Sequence, residues 1–178
     1  MTLRTDFSTA EDSPGFALWR VTNRWQAAQR LTLTPFGLTH VQFVLLASLT
    51  WLQADEPVTQ HALATHAGID PMMTSQVLRA LESAGHVERR PHPTDRRARE
   101  LVITPAGRAV ANDSVRAVEA CDRAFFAVLG EGRHAFAHAL TRLSASPQHQ
   151  LAADGGPAQV GAVGGRVRAA GSGGGSVP

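Results

Sequence analysis

The sequence predicts a mainly α-helical chain that carries one small β-hairpin, on three observations. Apolar residues recur at i, i+3, i+4 and i+7 in several segments, each opened by Ser, Thr or Asp and closed by Gly or Pro. Two short strand-like stretches, His86–Arg90 and Glu100–Ile103, interrupt that pattern and flank a turn-rich loop, Pro91-His92-Pro93-Thr94-Asp95-Arg96-Arg97-Ala98-Arg99. The chain is long enough at 178 residues, and apolar enough at 43%, to bury one substantial core.

In order, residues 1–13 are polar and read as a flexible N-terminus. Pro14 opens a first helix through Phe16, Leu18, Trp19, Val21 and Trp25 to about Leu33, where Pro35 and Gly37 break it. Thr39 with Gln42 three residues on forms a capping box for a second helix. Its stripe is Val41, Val44, Leu45, Ser48, Leu49 and Leu52, with Phe43 and Leu46 opposite; a helix apolar nearly all round is expected at the centre of the core. Asp55-Glu56-Pro57 ends it. Thr59 caps a short third helix with Ala62, Leu63 and Ala67 inward and Gly68 as its stop. Asp70-Pro71 opens a fourth, running to about Ala84, with Met73, Val77, Leu78 and Leu81 inward and Thr74, Ser75, Gln76, Arg79 and Glu82 outward. After the hairpin, Thr104-Pro105 caps a long fifth helix with the stripe Ala111, Ser114, Val118, Cys121, Phe125 and Leu129. A sixth follows with Phe136, Leu140 and Leu143 inward. Residues 146–178 are Gly-rich, poor in bulky apolar groups and expected to be disordered.

Several function classes fall away. The net charge is only +2, but all 17 basic residues are Arg, the side chain suited to bidentate contacts with phosphate and guanine. Cys121 stands alone, so no intramolecular disulfide forms; mid-helix burial points to an inert thiol. The longest apolar run, Val41–Leu52, is broken by polar residues and too short to span a bilayer, and the N-terminus lacks a secretory pattern, so a cytoplasmic protein with no membrane partner is expected. His134 and His138 share a helix face but have no further ligand at metal spacing. No nucleophile elbow, HExxH or phosphate loop is present; neither an enzyme nor a cofactor is expected.

The order helix, short helix, turn, amphipathic helix, hairpin is that of a winged helix-turn-helix. The second helix of such a pair enters the major groove and reads bases from its N-terminal half, which here offers Thr74, Ser75, Gln76 and Arg79. Gln pairs with adenine, and Arg with guanine or phosphate. The hairpin is the wing, and Arg96, Arg97 and Arg99 at its tip suit phosphates or a neighbouring narrow minor groove. A winged module that binds protein instead would present an acidic or apolar recognition face, and a metal-dependent sensor would draw on the surplus His. Trp19, Trp25 and Trp51 either line an effector cleft or pack in core and interface.

Asp95-Arg96-Arg97 followed by Leu101-Val102-Ile103-Thr104-Pro105-Ala106-Gly107 resembles the wing signature of the MarR family of bacterial regulators, D-x-R, strand, then L/I-T-x-x-G. Ser75–Arg89 is similar to that family's recognition helix and first wing strand, and Leu38–Leu46 to its second helix; His86 departs from the pattern. The resemblance, over roughly residues 15–145, implies a homodimer bound to double-stranded DNA at a pseudo-palindromic operator. It places the DNA-binding lobe at about 39–104 and the N- and C-terminal dimerisation helices at about 14–33 and 105–144. It further implies that Asp95 holds Arg97 for the minor groove, and that a small phenolic or anionic effector relieves repression.

Overall fold

The computed structural model describes residues 4–53, 57–95 and 97–145. The helices are α1 (Pro14–Leu33), α2 (His40–Leu52), α3 (Gln60–Ala67), α4 (Pro71–Ser83), α5 (Pro105–Phe125) and α6 (Arg133–Ser144). Strands β1 (Val58–Thr59), β2 (Val87–Pro91) and β3 (Arg99–Ile103) form an antiparallel sheet in the order β1-β3-β2. The chain divides into two units, Met1–Ala139 and Leu140–Pro178. The second is described through Ala145; the expected disordered tail, 146–178, lies outside the described residues. Among the described residues no single helix is long and apolar enough to cross a membrane.

The core gathers around α2, which touches α1, α3, α4, α5 and β3. The Thr39–Gln42 box forms as expected: the Gln42 amide donates to Thr39 Oγ1 (3.2 Å), and the Thr39 amide to Gln42 Oε1 (2.8 Å). From Val41 to Thr50 no residue is exposed, and Phe43, Leu45, Leu46 and Leu49 are buried on both sides of the helix. An apolar helix that touches neighbours all round removes each of these side chains from water.

Local capping sets the helix-turn-helix. Gly68 ends α3 in the left-handed conformation at φ +64°, a backbone state that costs a residue with a Cβ about 1–2 kcal/mol. The turn is closed by the Ile69 amide donating to the Ala64 carbonyl (3.0 Å). One Asp70 carboxylate oxygen then accepts from the Met72 and Met73 amides (2.8 and 3.0 Å), and Pro71 fills the first helical position.

The stripe of α4 is phased differently from the expectation. Thr74, Leu78 and Leu81 are buried, and Met73, expected inward, is exposed. Thr74, expected outward, lies against the core because its hydroxyl donates to the Asp70 carbonyl (2.9 Å) and leaves no polar orphan. In α3 the inward residues are Leu63 and Ala64, and Ala62 is exposed. Leu140 and Leu143 of α6, expected inward, are also exposed; Phe136 is half-buried, with its ring against Phe126. Residues 9–13, expected to be flexible, include a capped turn: the Thr9 amide donates to Asp12 (2.9 Å), and Ser13 Oγ caps α1 at Phe16.

The wing register pairs Val87 with Ile103 and Arg90 with Glu100. Strand β1, not anticipated, adds Val58 opposite Leu101. The Gln53 side chain extends this edge: its Nε2 donates to the Leu101 carbonyl and its Oε1 accepts from the Ile103 amide, both at 3.0 Å. These bonds satisfy backbone groups that would otherwise go unpaired. At the wing's root the Thr104 amide donates to the His86 carbonyl (3.0 Å), and its hydroxyl to the Gly85 carbonyl (2.7 Å) while also capping Gly107. A β-carbon built on Gly107 would collide with the His86 carbonyl oxygen.

A polar cluster joins α1, α2 and α5. Trp25 Nε1 and buried Gln29 Nε2 both donate to Asp122 Oδ1 at 2.7 Å, and Trp25 meets the His40 ring edge to face at 4.9 Å. Two measurements test these contacts. Gly107→Ala gains about 1 kcal/mol in helix propensity yet should lower stability by roughly 1–3 kcal/mol net, because the backbone must move; a denaturation midpoint at or above wild type would contradict the contact. Burial holds the pKa of His40 below the ordinary imidazole value of 6.5, against the pull of Asp122. The unfolded chain therefore takes up that proton first, and the contribution is complete above pH 6.5 and lost as pH falls through the lower folded value. His40→Asn should flatten the stability–pH curve in that window.

Candidate nucleic-acid interface

The exposed side of α4 is defined by what its buried stripe leaves free. With Thr74, Leu78 and Leu81 inward, Gln76 and Arg79 project to solvent and Ser75 sits half-buried at the edge. Thr74 is therefore withdrawn from the exposed face. The helix is held by Leu78 and Leu81 in the core and by the Gln60 side chain, which donates to the Pro71 carbonyl (3.4 Å).

The wing tip is organised by two side chains. Asp95 Oδ1 accepts the Arg97 backbone amide (2.8 Å), and the Asp95 carbonyl accepts the Ala98 amide (3.1 Å). His92 Nδ1 accepts the Asp95 amide (3.2 Å) and lies 3.4 Å from the Thr94 amide, so it acts as an acceptor in this geometry. Asp95 thus shapes the tip through Arg97's backbone amide. His92 had no sequence signal that distinguished it from a solvated loop residue. Arg97 and Arg99 are exposed; Arg96 lies outside the described residues.

Charge pairing separates two groups of arginine. Arg89 meets Glu82 (3.1 Å) and Arg90 meets Glu88 (2.8 Å). Among the described residues Arg79, Arg97 and Arg99 meet no carboxylate, so three cations remain free on α4 and the wing. Exposed ion pairs contribute little to stability, but they decide which guanidinium groups remain available to an anion.

The tryptophans do not converge. Trp25 belongs to the Asp122 cluster, Trp19 stacks on Phe16 at 6.0 Å, and Trp51 is 81% exposed near the end of α2. A cavity of about 440 Å3 opens between α1 and the start of α2, lined by Arg30, Leu38 and His40 among others. Trp25 meets one residue of that lining, His40.

Asp95→Ala should speed hydrogen exchange at the Arg97 amide, whereas Asp95→Asn, which keeps the acceptor oxygen, should not; equal exchange in both would remove Asp95 from the tip's architecture.

A model of the MarR family matches residues 38–98, from the start of α2 to the wing tip. The chain is 42% identical over 128 residues to YdcH of Bacillus subtilis, described as an uncharacterised HTH-type transcriptional regulator; the match spans 71% of this chain and 87% of that one. The fold resembles CouR of Rhodococcus jostii RHA1 bound to a 23-mer DNA duplex, with a TM-score of 0.69 at 27% identity over 80% of this chain and 99% of that one. It also resembles the Mycobacterium tuberculosis MarR family protein Rv2887 in complex with p-aminosalicylic acid, with a TM-score of 0.58 at 30% identity over 74% and 98% of the two chains. The sequence match along most of a relative's length, the family's own segment and the winged-helix architecture lead to one conclusion: the chain belongs to the MarR family of helix-turn-helix transcriptional regulators.

Proposed function

We propose that this regulator is a cytoplasmic, ligand-responsive repressor, not an enzyme, and that it binds a pseudo-palindromic operator as a homodimer. In this reading α4 enters the major groove, with Gln76 and Arg79 on base edges and Ser75 at a phosphate or base. Arg97 reaches the adjacent minor groove, and Arg96 and Arg99 meet phosphates. The observation that carries it is the set of guanidinium groups on the helix and the wing, Arg79, Arg97 and Arg99, that meet no carboxylate among the described residues. The DNA-bound state of CouR supports the same use of this architecture. Uncovered apolar side chains on α1, Phe16, Leu18, Trp19 and Val21, and Leu140 and Leu143 in α6 support a second copy of the chain. The cavity beside Arg30 and His40 suits a small phenolic or anionic effector, and the p-aminosalicylic acid complex of Rv2887 supports a ligand of that chemistry. Trp25 is the tryptophan we retain for effector binding, by way of His40.

The test uses the full chain and a duplex that it selects from a randomised library. Gln76→Ala should cost roughly 1–3 kcal/mol on the selected duplex and far less on random DNA, because only base-edge contacts carry sequence information. Arg99→Ala should weaken both and lower the salt dependence by about one unit of slope. Equal losses on the two DNAs for Gln76→Ala would show that α4 does not read bases.

A further inference from the structure

Two methionines stand exposed at the start of α4. Met72 is 72% and Met73 50% exposed in the first turn of α4. Met72, Gln76 and Arg79 follow i, i+4, i+7, and at about 100° per residue they share the face opposite Thr74, Leu78 and Leu81. Met72 therefore lies in line with the two side chains of the proposed base-reading face, and Met73 flanks it.

The amides beneath them are engaged. A helix N-terminus ordinarily offers its free amides to a phosphate, but Asp70 already accepts from both the Met72 and Met73 amides, and its carboxylate repels a phosphate there. The first turn thus presents thioethers and leaves no open anion seat. The apolar group on the major-groove edge of DNA is the thymine C5-methyl. An unbranched, polarisable Met side chain adapts to such a methyl without a fixed rotamer. Gln76 pairs best with adenine, whose partner strand supplies a thymine at the same base pair.

We propose that Met72, flanked by Met73, is a specificity residue that reads a thymine methyl beside the base pair contacted by Gln76; this rests on the reading of α4 as the groove-entering helix. The test takes the duplex selected by the full chain and replaces thymine with uracil one position at a time, which removes only the methyl. Wild type should lose about fourfold in affinity at one position per half-site, as expected for one buried methyl-sized group. Met72→Ala should bind thymine and uracil duplexes alike, and Met72→Leu should restore the preference. A wild type indifferent to every replacement, or an equal uracil penalty in wild type and Met72→Ala, overturns the proposal while leaving DNA binding intact. Failure of the chain to select any duplex overturns the groove reading and this proposal with it.

Discussion

At Gly107 the first turn of α5 lies against the carbonyl of His86 with no room for a side chain, and the same carbonyl accepts the Thr104 amide. With the Thr104 hydroxyl on Gly85, these contacts tie the end of α4, the root of β2 and the start of α5 into one junction. The wing leaves this junction in one direction and α5 in another. The angle between the recognition helix and the wing is thus held by backbone groups, which tolerate little drift. Gln53 adds a second tie, from the end of α2 to β3.

A rigid root gives the exposed side chains their meaning. Because α4 has one buried stripe, its free face is defined to within a residue: Met72, Gln76 and Arg79 go out as Thr74 goes in. Glu82 and Glu88 pair with Arg89 and Arg90, whereas Arg97 and Arg99 meet no carboxylate among the described residues. At the opposite end of α2, the start of the helix packs its His40 ring on Trp25, which is bound to Asp122. The cavity proposed for an effector opens on this side of α2, and helix α2 connects it physically to α3 and α4.

What the sequence made legible was local chemistry. Thr39 with Gln42, Asp70 with Pro71, and Thr104 with Pro105 each carry their signal within a few residues, and each cap forms as read. The features it hid depend on distant partners. Gln53 finds Leu101 across 48 positions, and β1 has only two residues to show an alternation. Met73 and Thr74 fit the inward spacing equally well, since Val77 and Leu78 are four residues on from one and the other; the available bond to the Asp70 carbonyl decides for Thr74. At the wing, the sequence identified the partners Asp95 and Arg97 but not that the bond goes to the amide.

In the proposed complex two copies of α4 and its wing read two half-sites. Hydroxyl-radical footprinting of the full chain on the duplex it selects tests this most directly. Two equivalent protected segments are expected, with centres one helical turn, about 10 base pairs, or a multiple of that apart, each flanked outward by protection across the minor groove. A single protected segment, or one without the outer flank, would contradict it.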